Sequence, residues 1–108
     1  MTTNTSFADA AAMWNQRYEG ESLLFGEAPN AYLAAQRSRL PRRGRALCVA
    51  DGEGRNSVWL AEQGLQVDAF DIAERGVAKA QALAARHGVA VNFAVADCEA
   101  LEIGRAHV

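Results

Sequence analysis

The chain is poor in the residues that build cross-linked or metal-held folds. Its two cysteines, Cys48 and Cys98, match neither a metal-ligand spacing nor a redox pair. Both read as reduced thiols. The two histidines are equally unsuited to a metal centre. His87 fits a helix end, where a cation meets the negative pole of the dipole, and His107 stands in the tail with no partner. No apolar run reaches the length of a membrane span, and the start, MTTNTSFADAAAMW, carries no basic lead. The expectation is therefore a cytoplasmic protein with no signal and no membrane contact. Charge of one sign is lacking too: 11 Lys+Arg against 13 Asp+Glu give a net charge of -2, which argues against a dedicated nucleic-acid binder. Five arginines between Arg37 and Arg45 read as a solvated linker, since no aromatic residue interleaves with them.

What is present is apolar material for one core, 50% hydrophobic over 108 residues, arranged with two different periods. Ser6 with Asp9 opens a first helix over Ala8 to Tyr18, with Trp14 and Tyr18 one turn apart. Glu19 to Ser22 break it. Pro29 suits a first helical position, so a second helix is expected from Pro29 to Arg39, burying Tyr32 and Leu33. Pro41 to Gly44 then lead into an apolar strand, Ala46 to Ala50.

The stretch from Ala46 to Ala61 carries the functional signal. Its apolar strand stops at Asp51, Gly52, Glu53 and Gly54, where the backbone can turn tightly and approach a ligand. A helix opens at Arg55 or Asn56 with its unpaired N–H groups facing that turn, a favourable place for an anionic group. Gly64 ends this helix. A strand over Leu65 to Phe70 closes on Asp71, a third helix runs from Ala73 to His87 with Gly88 as its cap, and a third strand spans Val89 to Ala96 before Asp97. The βαβαβ order predicts a parallel sheet with its three strands side by side. Both crossovers run in one direction, so their helices share one face of the sheet and the other is expected to be bare. An uncovered apolar face of that kind favours self-association.

Here the sequence resembles the class I S-adenosylmethionine-dependent methyltransferases, in the subgroup similar to tellurite-resistance and thiopurine methyltransferases. The resemblance extends from Trp14 to about Leu101. It rests on Trp14, Arg17 and Tyr18 followed by Phe25, Gly26, Pro29 and Asn30, on GEGRNS ahead of an apolar helix, and on FDIAERGVAKA and FAVADCEAL. Ala50, Gly52 and Gly54 occupy the glycine positions of the family's loop, and Cys48 stands where the family usually has an acid. The implied fold is the N-terminal half of a Rossmann-like doubly wound parallel sheet: two leading helices and connector (1–44), then a partial cofactor-binding domain (45–102). Residues 103–108 break the expected continuation, and one reverse translation of IGRAHV matches the start of a common sequencing adapter, so this tail is expected to be non-native and the domain truncated.

The resemblance implies S-adenosyl-L-methionine as cofactor and a small-molecule methyl acceptor as partner. Asp71, at a strand end, is suited to accept from both hydroxyls of a ribose, with Ile72 beside it. The loop of Ala50, Asp51, Gly52 and Gly54, with Asn56 at the helix start, would hold the methionine carboxylate, assisted by Arg17. Asp97, with Cys98 and Glu99, is assigned to the adenine, and Trp14 to the cofactor wall. Methyl transfer from a sulfonium is an in-line displacement that needs alignment and no protein nucleophile. Other readings stay open. Asp71 and Asp97 also suit helix caps, and Trp14, Tyr18, Trp59 and Phe70 also suit the core. A nicotinamide-dinucleotide domain shares the strand, turn and acid, although Ser57 occupies its third glycine position. The polypeptide could also be a non-catalytic interaction fragment.

Overall fold

The computed structural model describes residues 7–20 and 22–96. Helix α1 spans Phe7–Arg17, and helix α2 covers only Ala31–Ala35, followed by a 3-10 turn over Arg37–Arg39. Strand β1 (Arg45–Val49), helix α3 (Arg55–Glu62), strand β2 (Gln66–Asp71), helix α4 (Glu74–His87) and strand β3 (Asn92–Val95) complete the order. The strands pair in parallel in the order β1-β2-β3, as the βαβαβ pattern requires. Among the described residues no helix is long and apolar enough to cross a membrane.

The second helix is shorter than the sequence predicts and starts later. Asn30, not Pro29, sets its start, because the Asn30 side chain accepts from the N–H groups of Tyr32 and Leu33. So short a helix presents one narrow side to the core, and Leu33 takes it. Tyr32, expected inside, is 76% exposed. The third strand is likewise confined to Asn92–Val95, the residues that have partners in β2.

Alternation along β1 and β2 divides the sheet into two unlike faces. Ala46 and Cys48 lie beside Val67 and Ala69, and on that side Leu60 of α3 packs with Leu65, Val67, Leu33 and Leu40. Val58 of α3 meets Leu83 and Ala84 of α4 in an adjoining cluster that also takes Leu23 and Phe93. On the opposite face Leu47 is 38% and Val49 53% exposed, so the expected uncovered area is present along β1. It does not extend over the whole face, since Phe70, which pairs with Val49, is buried.

Leu83 is among the largest fully enclosed side chains described. Leu83→Ala is therefore expected to cost about 2–5 kcal/mol through lost transfer energy and the cavity left behind, measured by urea unfolding.

Candidate functional site

The carboxyl ends of β1 and β2 open onto a cavity of about 410 Å³. Its walls come from both halves of the chain: Trp14 and Tyr18 of α1, Phe25 and Gly26 of the following segment, the turn from Val49 to Glu53, and Phe70 to Ile72. Asp71 is the joint between these parts. Its Oδ1 accepts from the Gly52 N–H at 3.1 Å and its Oδ2 from the Ala73 N–H at 2.9 Å, which ties the glycine turn to the entry of α4. Each oxygen retains acceptor capacity toward the cavity.

Asp51 holds the other side of the turn. Its carboxylate accepts from the Ser57 hydroxyl at 2.6 Å and from the Ser57 N–H at 3.3 Å, capping the first turn of α3 from outside the helix. Ser57, fully buried, thus uses the place of a third glycine for a polar anchor. Burial pushes the Asp51 carboxyl above its ordinary value, the Ser57 bonds oppose that shift, and the Asp71 charge adds to it. The Cys48 thiol is pushed up to about 12 by burial and by Asp51, so it stands in the strand as an inert thiol.

Glu53 was not legible as a structural anchor. Its Oε1 accepts from the Leu24 N–H, and its Oε2 pairs with Lys79 Nζ at 3.0 Å. Lys79 also donates to the Ser22 carbonyl, so one buried ion pair fastens the turn, α4 and the segment after α1 together. Tyr18 occupies the centre of this arrangement. A Cβ at Gly52 would lie 2.9 Å from its hydroxyl, and one at Gly76 3.0 Å from its ring. Burial and the charges of Asp71, Glu53 and Asp51 push the phenol up to about 12, so it stays a hydrogen-bond donor. Trp14 stacks on Tyr18 with ring centroids 5.6 Å apart.

The structure brings together most of the site residues named from sequence. Trp14, Ala50, Asp51, Gly52, Asn56, Asp71 and Ile72 all line the cavity. Asn56 is drawn partly away, since its Oδ1 accepts from the Asn30 N–H at 2.7 Å. Gly54 lies behind the turn, and a Cβ there would meet the Ala80 Cβ at 2.7 Å. Arg17 is absent from the lining: its guanidinium sits 5.1 Å over the Trp14 ring. Asp97, Cys98 and Glu99, and the 103–108 tail, lie outside the described residues. Tyr18, Phe25 and Arg55 join the lining without having been assigned there. The i, i+4 spacing of Trp14 and Tyr18 was the available signal for Tyr18, because both rings must face the same way.

Residues 46–108, more than half of the chain, match the family model described as a methyltransferase domain. The chain belongs to this methyltransferase-domain family. No curated protein gives a match. Among solved structures, the domain is similar to a chain described under the conversion of a disulfide bond into a thioacetal group during echinomycin biosynthesis, at 25% identity and TM-score 0.67, over 82% of this chain and 40% of that one. It shares its fold with an S-adenosylmethionine-dependent methyltransferase from Geobacter sulfurreducens in complex with S-adenosyl-L-homocysteine (22% identity, TM-score 0.60, 79% and 36% coverage). The magnesium protoporphyrin IX methyltransferase of Synechocystis PCC 6803 is similar as well (20% identity, TM-score 0.59, 94% and 44% coverage). This methyltransferase-domain chain therefore spans less than half the length of each of these three.

Two glycine positions of the turn are expected to respond in opposite senses. Ala50 has φ 53, a left-handed conformation costly to a residue with a Cβ. Ala50→Gly should therefore stabilise the fold by up to about 1 kcal/mol. Gly54→Ala, driven against Ala80, should destabilise it by more than about 2 kcal/mol. Chemical denaturation of both variants provides the measurement. Tyr18 supplies a pH signature. Its proton is held to about 12 in the fold but released around 10.0 once unfolded, so its stabilising contribution is complete below pH 10.0 and is lost as the pH rises toward 12. In a Tyr32→Phe background, phenolate absorbance should develop near pH 12 in the folded chain, and Tyr18→Phe should remove the corresponding decline in stability.

Proposed function

We propose that this cavity binds S-adenosyl-L-methionine and that the domain serves methyl transfer to a small-molecule acceptor, in the subgroup similar to tellurite-resistance and thiopurine methyltransferases. The observation that carries the reading is Asp71: a buried carboxylate at the end of β2, fixed by the Gly52 and Ala73 N–H groups, with free acceptor capacity facing the cavity. A vicinal diol matches such a carboxylate, because each hydroxyl donates to one oxygen. The first-turn N–H groups of Arg55 and Asn56 have no acceptor within α3 and suit an anionic end of the ligand. The aromatic wall of Trp14, Tyr18 and Phe70 supplies apolar surface and excludes water. When bound, the cofactor supplies an electrophilic methyl group on a sulfonium. The chain's own part is to bind and orient it. Asp97, Cys98 and Glu99 complete the adenine side in this reading, and Arg17 reaches the methionine end by leaving the Trp14 ring. The S-adenosyl-L-homocysteine bound in the similar methyltransferase structures from Geobacter sulfurreducens and Synechocystis PCC 6803 supports the cofactor assignment.

The expected behaviour of the 108 residues alone is binding without turnover. Calorimetric titration should show binding of S-adenosyl-L-homocysteine and S-adenosyl-L-methionine and none of NAD. Asp71→Asn should weaken it at least about tenfold, the loss of a charge-assisted pair. Preferential NAD binding would overturn the assignment, and methylation of a panel of thiols and metalloids by the purified chain would contradict binding without turnover.

A further inference from the structure

The basic segment after α2 remains unexplained by the cavity. Among the described residues, Arg45, Arg75, Lys79 and Arg86 each enter an ion pair, and Arg17 and Arg55 lie over aromatic rings. Arg37, Arg39, Arg42 and Arg43 do neither, and all four are exposed. Arg37 and Arg42 line a surface depression together with Ala35, Ser38, Leu40, Pro41 and Gln63, and Arg39 and Arg43 adjoin them in the sequence. The segment is held in place. Leu40 packs on the core cluster of Leu60, Leu65 and Val67, its N–H donates to the Arg37 carbonyl at 3.2 Å, and the Gln66 N–H donates to the Gly44 carbonyl at 2.8 Å. Since Arg45 opens β1, this surface lies at the amino ends of the strands, opposite the cavity.

We infer that this depression is a docking surface for an acidic polypeptide segment of another protein, one that carries an apolar residue between its carboxylates. Four exposed arginines without an ion pair, carried on an anchored segment of a chain of net charge -2, concentrate positive potential at one place, which steers an anionic partner. Arg37 and Arg42 form the rim for carboxylates, while Ala35, Leu40 and Pro41 give an apolar floor. The lining has no aromatic residue, so it lacks the stacking platform that single-stranded nucleic acid uses. The neighbouring helix is five residues long, too short to lie in a lipid interface as an amphipathic anchor. The surface does not depend on the cofactor reading.

Fluorescence anisotropy of the full chain with a labelled glutamate-rich peptide containing one central leucine tests the inference. Binding should be saturable and should weaken with added salt. Arg37→Glu with Arg42→Glu should weaken it at least about tenfold, with far-UV circular dichroism showing the fold intact, whereas the paired lysine variants should retain binding. Arg39→Glu with Arg43→Glu gives a second charge reversal if the first unfolds. Replacing the peptide's leucine by glycine should weaken binding severalfold. Unchanged binding by both charge reversals, equal binding of the glycine peptide, or tighter binding of a single-stranded DNA oligonucleotide or of phosphatidylserine vesicles would overturn it.

Discussion

The carboxylate of Asp71 is the constraint on which the cavity depends. It arrives at the end of β2, where parallel pairing with β1 sets Val49 beside Phe70, and it fixes two backbone N–H groups belonging to different elements. One is Gly52 in the turn after β1, and the other is Ala73 at the entry of α4. Without that carboxylate the Gly52 and Ala73 N–H groups lose their acceptor, and the Asp51 N–H bond to the Phe70 carbonyl is left to hold the turn against β2. Tyr18 packs on the same turn, with its hydroxyl close over Gly52. Trp14 depends in turn on Tyr18, against which it stacks.

Around this joint the chain gathers more buried negative charge than an apolar site tolerates without compensation. It divides the burden among three kinds of donor. Asp71 is met by backbone N–H groups, Asp51 by the hydroxyl and N–H of Ser57, and Glu53 by Lys79 and the Leu24 N–H. Each arrangement also fixes geometry. The Asp51 bonds orient α3, and the Glu53 ion pair draws the segment after α1 onto α4. Breaking such a buried pair on one side leaves an uncompensated charge, a loss on the order of 3–5 kcal/mol.

The order of elements was legible because strands and helices here differ in period and are separated by glycine, as at Gly64 and Gly88. The position of the cavity was legible for the same reason: the turn after the first strand and the acid after the second must meet when those strands pair in parallel. Tertiary contacts decided what the sequence left hidden. Tyr32 and Leu33 have similar local context, yet Leu33 reaches the core and Tyr32 does not, because α2 ends after Ala35. Glu53 reads as a polar turn residue until Lys79 comes within 3.0 Å across a long sequence separation. Arg17 has a cation's chemistry for a carboxylate, but the nearby Trp14 ring takes it. Ser57 reads as a missing glycine, and its role appears only once Asp51 is seen to face it.

The central claim is that the turn held by Asp71 is a cofactor-binding surface. The most direct test is an amide nuclear magnetic resonance titration of the labelled chain with S-adenosyl-L-homocysteine. The account predicts that the perturbed signals cluster at Ala50 to Ser57 and Asp71 to Ala73, with the Trp14 indole among them. Perturbations centred on the opposite end of the sheet, around Ala35 to Gly44, or a spectrum unchanged at millimolar ligand, would contradict it.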